Sequence, residues 1–170
     1  SPGSSRTDRT KIFIGGQTFI NFSSNDYLGL SGHPEIIKAA VRAIKRYGFG
    51  SGASRLLSGS YTSHKKLEDR IAKFKKTGAA LVFNSGYAAN TGIIPAIAGA
   101  DTTIFSDELN HASIIDGSRL SKARIKIYRH RDVIHLEKLL RNTSGKKLIV
   151  TDTVFSMDGD KAPLRELVQL

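Results

Sequence analysis

The sequence predicts an α/β domain built on a parallel sheet, preceded by a smaller N-terminal segment. After residue 78, short apolar runs alternate with stretches of helical periodicity. Strands that alternate with helices pair in parallel, because each helix carries the chain back across the sheet. The chain has no internal repeat and no cysteine, so neither a solenoid nor a disulfide scaffold is expected. We divide it into an N-terminal segment, residues 1–60, and the first part of an α/β domain, residues 61–170.

The N-terminal segment contains one predicted strand, one predicted helix and a loop. Residues 17–22 alternate polar and apolar side chains after a Gly-Gly pair, which is typical of a half-buried strand. Pro34 suits the first position of a helix, and Ile37, Val41 and Ile44 give that helix an apolar stripe up to residue 47. Residues 48–60 are rich in glycine and serine, which indicates a loop.

The α/β part begins with a helix that ends near residue 77, because Leu67, Ile71 and Phe74 lie at helical spacing. The elements predicted to follow are a strand at 79–83, a helix at 87–98, a strand at 103–106, a helix at 112–120, a strand at 124–128, a helix at 132–141 and a strand at 147–151. A last helix begins at Pro163 and reaches residue 170 without a C-cap. We therefore expect that more protein follows it.

The charge balance permits an anionic partner but does not indicate nucleic acid. Lys and Arg number 26 against 15 Asp and Glu, a formal net charge of +11. The lysines of residues 65–76 are interleaved with Glu68 and Asp69, without the alternating aromatic residues that base stacking needs. The longest apolar run, residues 93–100, is too short to cross a bilayer. We expect a soluble protein that binds neither nucleic acid nor membrane, and the absence of cysteine fits the cytoplasm.

The candidate site lies in the strand-to-helix loops, because ligands of an open α/β sheet bind beyond the carboxyl ends of its strands. In residues 84–90, a glycine followed by a helix N-terminus suits a phosphate, although a plain tight turn explains the same residues. His111 opens the next helix beside acidic and amide side chains. It could act as an acid, a base, a ligand or a stacking surface, but a lone histidine in this position more often has no such role.

Metal and nucleoside triphosphate sites are not indicated. His111, His130 and His135 lack the close helical spacing of a zinc site. Residues 151–160 place Asp152 and Ser156 near the carboxyl end of a strand, but the acidic residues there lack the remaining ligands of an EF-hand. The loop at 48–60 has no Walker-type Gly-Lys-Ser/Thr sequence.

Five motifs in order carry a resemblance to a known family. They are NFSSNDYLGL at 21–30, GSGASR at 50–55, SGYAAN at 85–90, LNHAS at 109–113 and VFSMDGD at 154–160. With this set, the sequence resembles the α-oxoamine synthases, which are fold-type I enzymes dependent on pyridoxal phosphate. The resemblance implies that the chain supplies the N-terminal segment and the first part of the large parallel-sheet domain of that fold.

The resemblance also implies roles for individual residues. Gly86 and Tyr87 would hold the phosphate of the cofactor, and His111 would stack on its pyridine ring. Ser156 would form a hydrogen bond near the phenolic oxygen of the cofactor, and Asn25 would face the carboxylate of the amino-acid substrate. The loop at residues 50–60 would lie at a homodimer interface and touch the partner's site.

Members of this family condense an amino acid with an acyl thioester, carried on CoA or on an acyl carrier protein, and release carbon dioxide. Residues 50–59 favour L-alanine and a pimeloyl-type thioester, as in biotin synthesis, over glycine and an acetyl thioester, whereas residues 109–120 suit either. The family's Schiff-base lysine and the aspartate that pairs with the pyridinium nitrogen would fall after Leu170. The resemblance therefore assigns no catalytic residue to this chain, which alone would be inactive or would only associate.

Overall fold

The computed structural model describes residues 5–6 and 10–170, which fall into two compact units divided between Lys65 and Lys66. The first unit holds an antiparallel sheet and a helix, and the second holds a parallel sheet with its helices. The functional division into residues 1–60 and 61–170 stays a prediction.

The sheet of the first unit has the strand order β1-β2-β3. Its strands are β1 (Ser5–Arg6), β2 (Lys11–Ile14) and β3 (Gln17–Ile20). Gly15 and Gly16 join β2 to β3 with φ values of 57° and 84°, as a two-residue hairpin turn of the mirror-image type requires. The predicted strand at 17–22 is confirmed as β3, although it ends earlier because the side chain of Asn21 accepts the N–H of Ser23 and begins a turn.

The helix α1 (Pro34–Tyr47) begins and ends where the sequence predicts. His33 is its N-cap, since Nδ1 of this residue accepts the N–H of Glu35 at 3.3 Å. Proline at the first helical position loses no hydrogen bond, because that N–H has no intrahelical partner. The helix stops at Gly48, whose φ of 83° is costly for any other residue.

The second unit is built on a parallel sheet of strand order β5-β4-β6. Its strands are β4 (Thr102–Asp107), β5 (Arg124–Tyr128) and β6 (Lys146–Val150). The central strand β4 pairs in parallel with both neighbours, and all its residues are buried. The predicted α/β class and parallel pairing are confirmed.

Helices follow the strands at nearly the predicted positions. They are α3 (Gly86–Ile97), α4 (Ala112–Leu120), α5 (Val133–Arg141) and α6 (Leu164–Gln169), while α2 (Thr62–Lys75) runs across the boundary between the units. Polar N-cap side chains fix the residue at which several of these helices begin. Asp132, for example, accepts the N–H of His135 at 2.8 Å and so begins α5.

One predicted strand is wrong. Residues 79–83 form no strand, because no other strand in the described part of the chain pairs with them. Val82 instead donates its N–H to Oε1 of Glu68 at 3.0 Å, and Leu81 is 75% exposed. An apolar run favours a strand, but a strand also needs a neighbour for its backbone hydrogen bonds.

Two hydrophobic clusters cover the two faces of β4, because successive strand residues point to opposite faces. Ile104 packs with three residues of α3 and α4 and the segment that joins α3 to β4, namely Ile94, Ala98 and Ile114. Phe105 packs with residues of β5, α5 and the segments after β6, namely Tyr128, Leu136, Phe155, Ala162 and Leu167. The carboxyl end of β4 therefore lies between α3 and α4 on one face and the segment around Phe155 on the other.

Candidate functional site

His111 is the N-cap of α4, directly beyond the carboxyl end of β4. Its ring Nδ1 accepts the N–H of Ser113 at 3.1 Å and lies 2.7 Å from the hydroxyl of the same residue. The backbone N–H of His111 donates to Oδ2 of Asp152 at 2.8 Å. The side chain is exposed. Its ring is thus accessible to a ligand while the backbone and one ring nitrogen are held in place.

Asn110, which sequence reasoning did not single out, joins the ends of β4 and β6. It is only 5% exposed, and its Nδ2 donates to the carbonyl oxygen of Val150 at 2.8 Å and to the hydroxyl of Ser106 at 2.9 Å. Its Oδ1 accepts the N–H of Asp152 at 2.9 Å. This network sets the position of Asp152, the residue that holds the backbone of His111.

The N-terminus of α3 offers two backbone donors. The hydroxyl of Ser85 caps the helix by accepting the N–H of Ala88 at 3.1 Å. Among the residues that the structure describes, the N–H groups of Gly86 and Tyr87 have no hydrogen-bond partner. A Cβ atom placed on Gly86 would meet nothing within 4 Å. With the positive end of the helix dipole, these open N–H groups suit a phosphate.

Side-chain hydrogen bonds join α3 to α4 close to these N-termini. Nδ2 of Asn90 donates to the hydroxyl of Ser113 at 2.9 Å, and the hydroxyl of Tyr87 donates to Oδ2 of Asp116 at 2.5 Å. A Cβ on Gly117 would be 2.5 Å from the carbonyl oxygen of Asn90, so the helix backbones approach closely. The predicted phosphate loop and the predicted stacking histidine therefore lie at the starts of adjacent helices.

The contact between Tyr87 and Asp116 also affects the acidity of the phenol. The hydrogen bond to the carboxylate raises the pKa of Tyr87, and burial and the negative charge of Asp116 act in the same direction. The hydroxyl therefore keeps its proton to a higher pH than an ordinary tyrosine and remains a donor to Asp116.

Ser156 lies in the turn of a short hairpin after β6. Val154 and Lys161 form an antiparallel bridge, and the N–H of Phe155 donates to the carbonyl oxygen of Asp160 at 2.9 Å. Ser156 is exposed, whereas Phe155 is only 2% exposed. The hairpin therefore presents the serine hydroxyl from a backbone that is anchored in the core.

A second cluster beside this hairpin was not predicted. Nδ1 of His130 lies 2.8 Å from Oδ1 of Asp107, and Nε2 lies 2.9 Å from Oδ2 of Asp160. The rings of His130 and Phe155 are perpendicular, with centroids 4.4 Å apart. We call Asp107, His130 and Asp160 the carboxylate–histidine bridge. Its members are separated by 23 and 30 residues, so no local pattern in the sequence reveals it.

The charges of the bridge reinforce one another. Desolvation alone would lower the pKa of His130, but the hydrogen bonds and negative charges of Asp107 and Asp160 outweigh it, so that the pKa is raised. The hydrogen bond from His130 lowers the pKa of Asp160 against desolvation, and Arg131 lowers it further. The bridge therefore favours the protonated form of the imidazole.

Asn25 belongs to the first unit, where its Oδ1 accepts the hydroxyl of Tyr27 at 3.2 Å. The loop at residues 50–60 belongs to the same unit and is folded on itself, since a Cβ on Gly59 would clash with the carbonyl oxygen of Ala53. The roles of Asn25 toward a substrate and of the loop toward a partner subunit stay predictions.

Every helix within residues 5–6 and 10–170 is too short or too polar to cross a bilayer. In the same part of the chain, no group of three or more His, Cys, Asp or Glu side chains is placed to hold a metal ion.

Comparison with known proteins gives consistent matches. The family of class I and II aminotransferases matches residues 17–170. A putative 8-amino-7-oxononanoate synthase of Thermodesulfovibrio yellowstonii is 60% identical over 162 residues, which cover 94% of this chain and 42% of that relative. The chain thus spans less than half the length of the curated relatives that it matches.

Solved structures share the fold. A serine palmitoyltransferase from S. paucimobilis with a bound PLP–myriocin aldimine superposes with a TM-score of 0.93 at 35% identity, covering 98% of this chain and 43% of that chain. An 8-amino-7-oxononanoate synthase from Francisella tularensis gives a TM-score of 0.73 at 34% identity, covering 87% of this chain and 41% of that chain. These matches confirm the predicted fold-type I class.

Proposed function

Because the chain belongs to the family of class I and II aminotransferases, we propose that it is part of a pyridoxal-phosphate-dependent C-acyltransferase. The reaction joins an amino acid to an acyl thioester and releases carbon dioxide. One observation carries the proposal above all. Two open backbone donors at the start of α3 and an accessible, anchored histidine at the start of α4 lie on adjacent helices, and α4 begins directly beyond the carboxyl end of β4.

The residues at this edge fit the cofactor. A phosphate monoester needs several donors and room for close approach, and the N–H groups of Gly86 and Tyr87 offer both. A flat pyridine ring needs a flat, accessible side chain, which His111 supplies. When bound, the cofactor stores the electron pair released at the α-carbon of the amino acid.

The remaining residues of the chain act by orientation. Asp152 and Ser113 hold His111, so its ring keeps one plane for stacking. Ser156 presents a hydroxyl that can donate to the phenolic oxygen of the cofactor, and Asn25 can donate its amide N–H to the substrate carboxylate. We assign no covalent or general-base role to the lysines of this chain.

For the substrates, we favour L-alanine and a pimeloyl-type thioester on CoA or an acyl carrier protein. Two curated relatives that carry the name 8-amino-7-oxononanoate synthase, one of them as putative, are 60% and 57% identical to the chain and support this choice. A glycine C-acetyltransferase is the alternative, because residues 109–120 suit either activity. We extend the proposal to a cytoplasmic homodimer in which the loop at 50–60 touches the partner's site.

The cofactor assignment is tested with the full-length protein that carries this sequence. We expect it to bind pyridoxal phosphate with a visible absorbance band that borohydride reduction fixes to the protein. Replacing His111 with Ala should weaken binding about fivefold, since aromatic stacking contributes about 1 kcal/mol. Replacing it with Phe should restore much of that affinity.

His135→Ala is the matched control, because the ring of His135, on α5, accepts the N–H of Arg129 rather than facing the proposed site. Its cofactor affinity should equal that of the wild type. Absence of the visible band from the full-length protein would contradict the assignment. Equal affinity of His111→Ala and His135→Ala for pyridoxal phosphate would contradict it as well.

Substrate choice is decided by product analysis with alanine, glycine and serine, each offered with pimeloyl, acetyl and palmitoyl thioesters. We expect the highest kcat/KM for alanine with the pimeloyl donor. Preference for glycine with the acetyl donor would establish the alternative activity.

A further inference from the structure

We propose that His130 is a positioning residue that, when protonated, fixes the hairpin carrying Ser156 to the carboxyl edge of the parallel sheet. The inference rests on the proposed function, which places Ser156 beside the cofactor. It adds a residue to which that proposal gives no role.

The contacts of the carboxylate–histidine bridge require both ring nitrogens of His130 to donate. Asp107 also accepts the N–H groups of Leu109 and Arg131, each at 2.9 Å, and Asp160 accepts Nη1 of Arg131 at 2.9 Å. An ionised carboxylate only accepts hydrogen bonds, so each ring nitrogen that bonds to one must donate. A His130 ring that contacts both therefore carries a proton on each nitrogen.

The bridge holds the hairpin at two points. Oδ2 of Asp160 faces His130 and Arg131, whereas Oδ1 is buried without a hydrogen-bond partner among the described residues. The side chain of Arg131 is 48% exposed and that of His130 only 19%, so solvent weakens the arginine contact more. The ring of His130 also packs edge-on with Phe155, the residue before Ser156. Loss of His130 thus removes contacts from both ends of the turn.

Charged groups face His130 from three segments. Asp107 ends β4 and Glu108 follows it, Asp160 belongs to the hairpin, and Arg131 is the neighbour of His130 in the chain. Oε1 of Glu108 accepts the backbone N–H of His130 at 2.7 Å. Three acidic groups against one cation favour the charged ring, in agreement with the raised pKa of His130.

The sign of the pH dependence follows from that raised pKa. The stabilisation is fully present below the ordinary histidine pKa of about 6.5 and is lost as pH rises through the higher value of the folded protein. A neutral ring donates to only one carboxylate. We therefore expect the hairpin to loosen from the sheet edge as the ring of His130 loses its proton.

Hydrogen exchange of the full-length protein tests the inference. The reporters are the N–H of Phe155, bonded to the carbonyl of Asp160, and the N–H of Ala162, bonded to the carbonyl of Thr153. At pH 6, His130→Gln should lower their protection factors about tenfold, because glutamine is never charged. Wild-type protection should fall with rising pH along the NMR titration of the His130 ring, whereas protection in the variant should not depend on pH.

His135→Gln is the matched control and should behave as the wild type, since its ring bonds the backbone of Arg129. Asp160→Asn keeps the histidine but removes one charge, and should lower the His130 pKa and loosen the same amides. This second variant decides the question if His130→Gln does not fold. Unchanged hairpin protection in either variant, or an equal loss across Ile104 and Phe105 in β4, would overturn the proposal.

Cofactor affinity is measured separately, by titration with pyridoxal phosphate. We expect His130→Gln to weaken it about fivefold, with His135→Gln unchanged. Altered exchange with unaltered affinity would refute the positioning of Ser156 for the cofactor. If the wild type binds no pyridoxal phosphate, the proposed function fails, while the exchange data still decide whether His130 fixes the hairpin.

Discussion

At the scale of single residues, Asn110 is the buried side chain on which the geometry of the site most depends. Its amide nitrogen has acceptors on β4 and at the end of β6, and its oxygen has a donor in Asp152. Every polar atom of the side chain is used, and an amide is the only common side chain that both donates twice and accepts at this size. The position of His111 follows from this residue through Asp152.

We expect Asn110→Ala to lower the free energy of unfolding by about 2–3 kcal/mol, because it leaves the buried carbonyl oxygen of Val150 and the N–H of Asp152 unpaired. Asn110→Asp should cost at least as much, since a carboxylate oxygen would face the carbonyl of Val150. Urea denaturation measures both.

The control is Asn142→Ala, at the exposed C-cap of α5, which should change stability by less than about 0.5 kcal/mol. An Asn110→Asp variant as stable as the wild type would show that the amide does not donate to Val150.

At the scale of elements, the close approach of α3 and α4 brings the two helix starts of the site together. Gly117 permits it, because a Cβ there would lie 2.5 Å from the carbonyl oxygen of Asn90 and 3.1 Å from Cδ1 of Ile94. Backbone atoms of a packed helix cannot move aside as a flexible side chain can. Glycine at this position is therefore a requirement of the fold.

Gly117→Ala should destabilise the protein by about 1–3 kcal/mol through overpacking, although alanine is the better helix former by about 1 kcal/mol. It should also weaken cofactor affinity, because the helix starts would separate. Thermal unfolding and cofactor titration measure the two effects.

Gly92→Ala in α3 is the matched helical control. Its Cβ would lie 3.3 Å from Cε1 of Phe83, a side chain that is 38% exposed and can move. We expect a change within about 1 kcal/mol for this variant. Equal changes in stability for Gly117→Ala and Gly92→Ala would show that the close approach of α3 and α4 does not require glycine at position 117.

At the scale of the whole molecule, the excess of basic residues is dispersed along the sequence. Lys146 is one of these basic residues. Its Nζ pairs with Oδ2 of Asp101 at 2.6 Å, and both side chains remain mostly exposed. Such exposed pairs contribute little to stability. The formal net charge of +11 should therefore act mainly as a diffuse field on anions.

We expect the full-length protein to have no specific site for a short DNA duplex, so that any binding is non-specific, no tighter than a Kd of about 1 μM at physiological salt, with a steep loss at higher salt. Fluorescence anisotropy across a salt series measures this. Nanomolar binding that persists at raised salt would instead establish a nucleic-acid site and refute the interpretation of the charge as dispersed.

The sequence by itself determined the helices, the strands of the parallel sheet and the fold class, and it predicted two loops of the candidate site. Pro34, Ser85 and Asp132 act on the backbone within a few residues, so helix starts are encoded locally. The alternation of strands and helices was enough to predict a parallel sheet. The motifs around Gly86 and His111 indicated two loops, and the structure shows that these loops lead into the adjacent helices α3 and α4.

Only the tertiary structure decided which segments become neighbours. Residues 79–83 have an apolar pattern but no pairing partner in the described part of the chain. The carboxylate–histidine bridge forms because the strand order β5-β4-β6 brings the ends of β4 and β5 together beside the hairpin. The periodicity of the sequence indicates on which face of a helix or strand a residue lies. Contacts between residues 23 and 30 positions apart depend instead on the order of the strands. Pairing over such separations is a property of the folded chain, and for that reason the contacts of His130 became visible only in three dimensions.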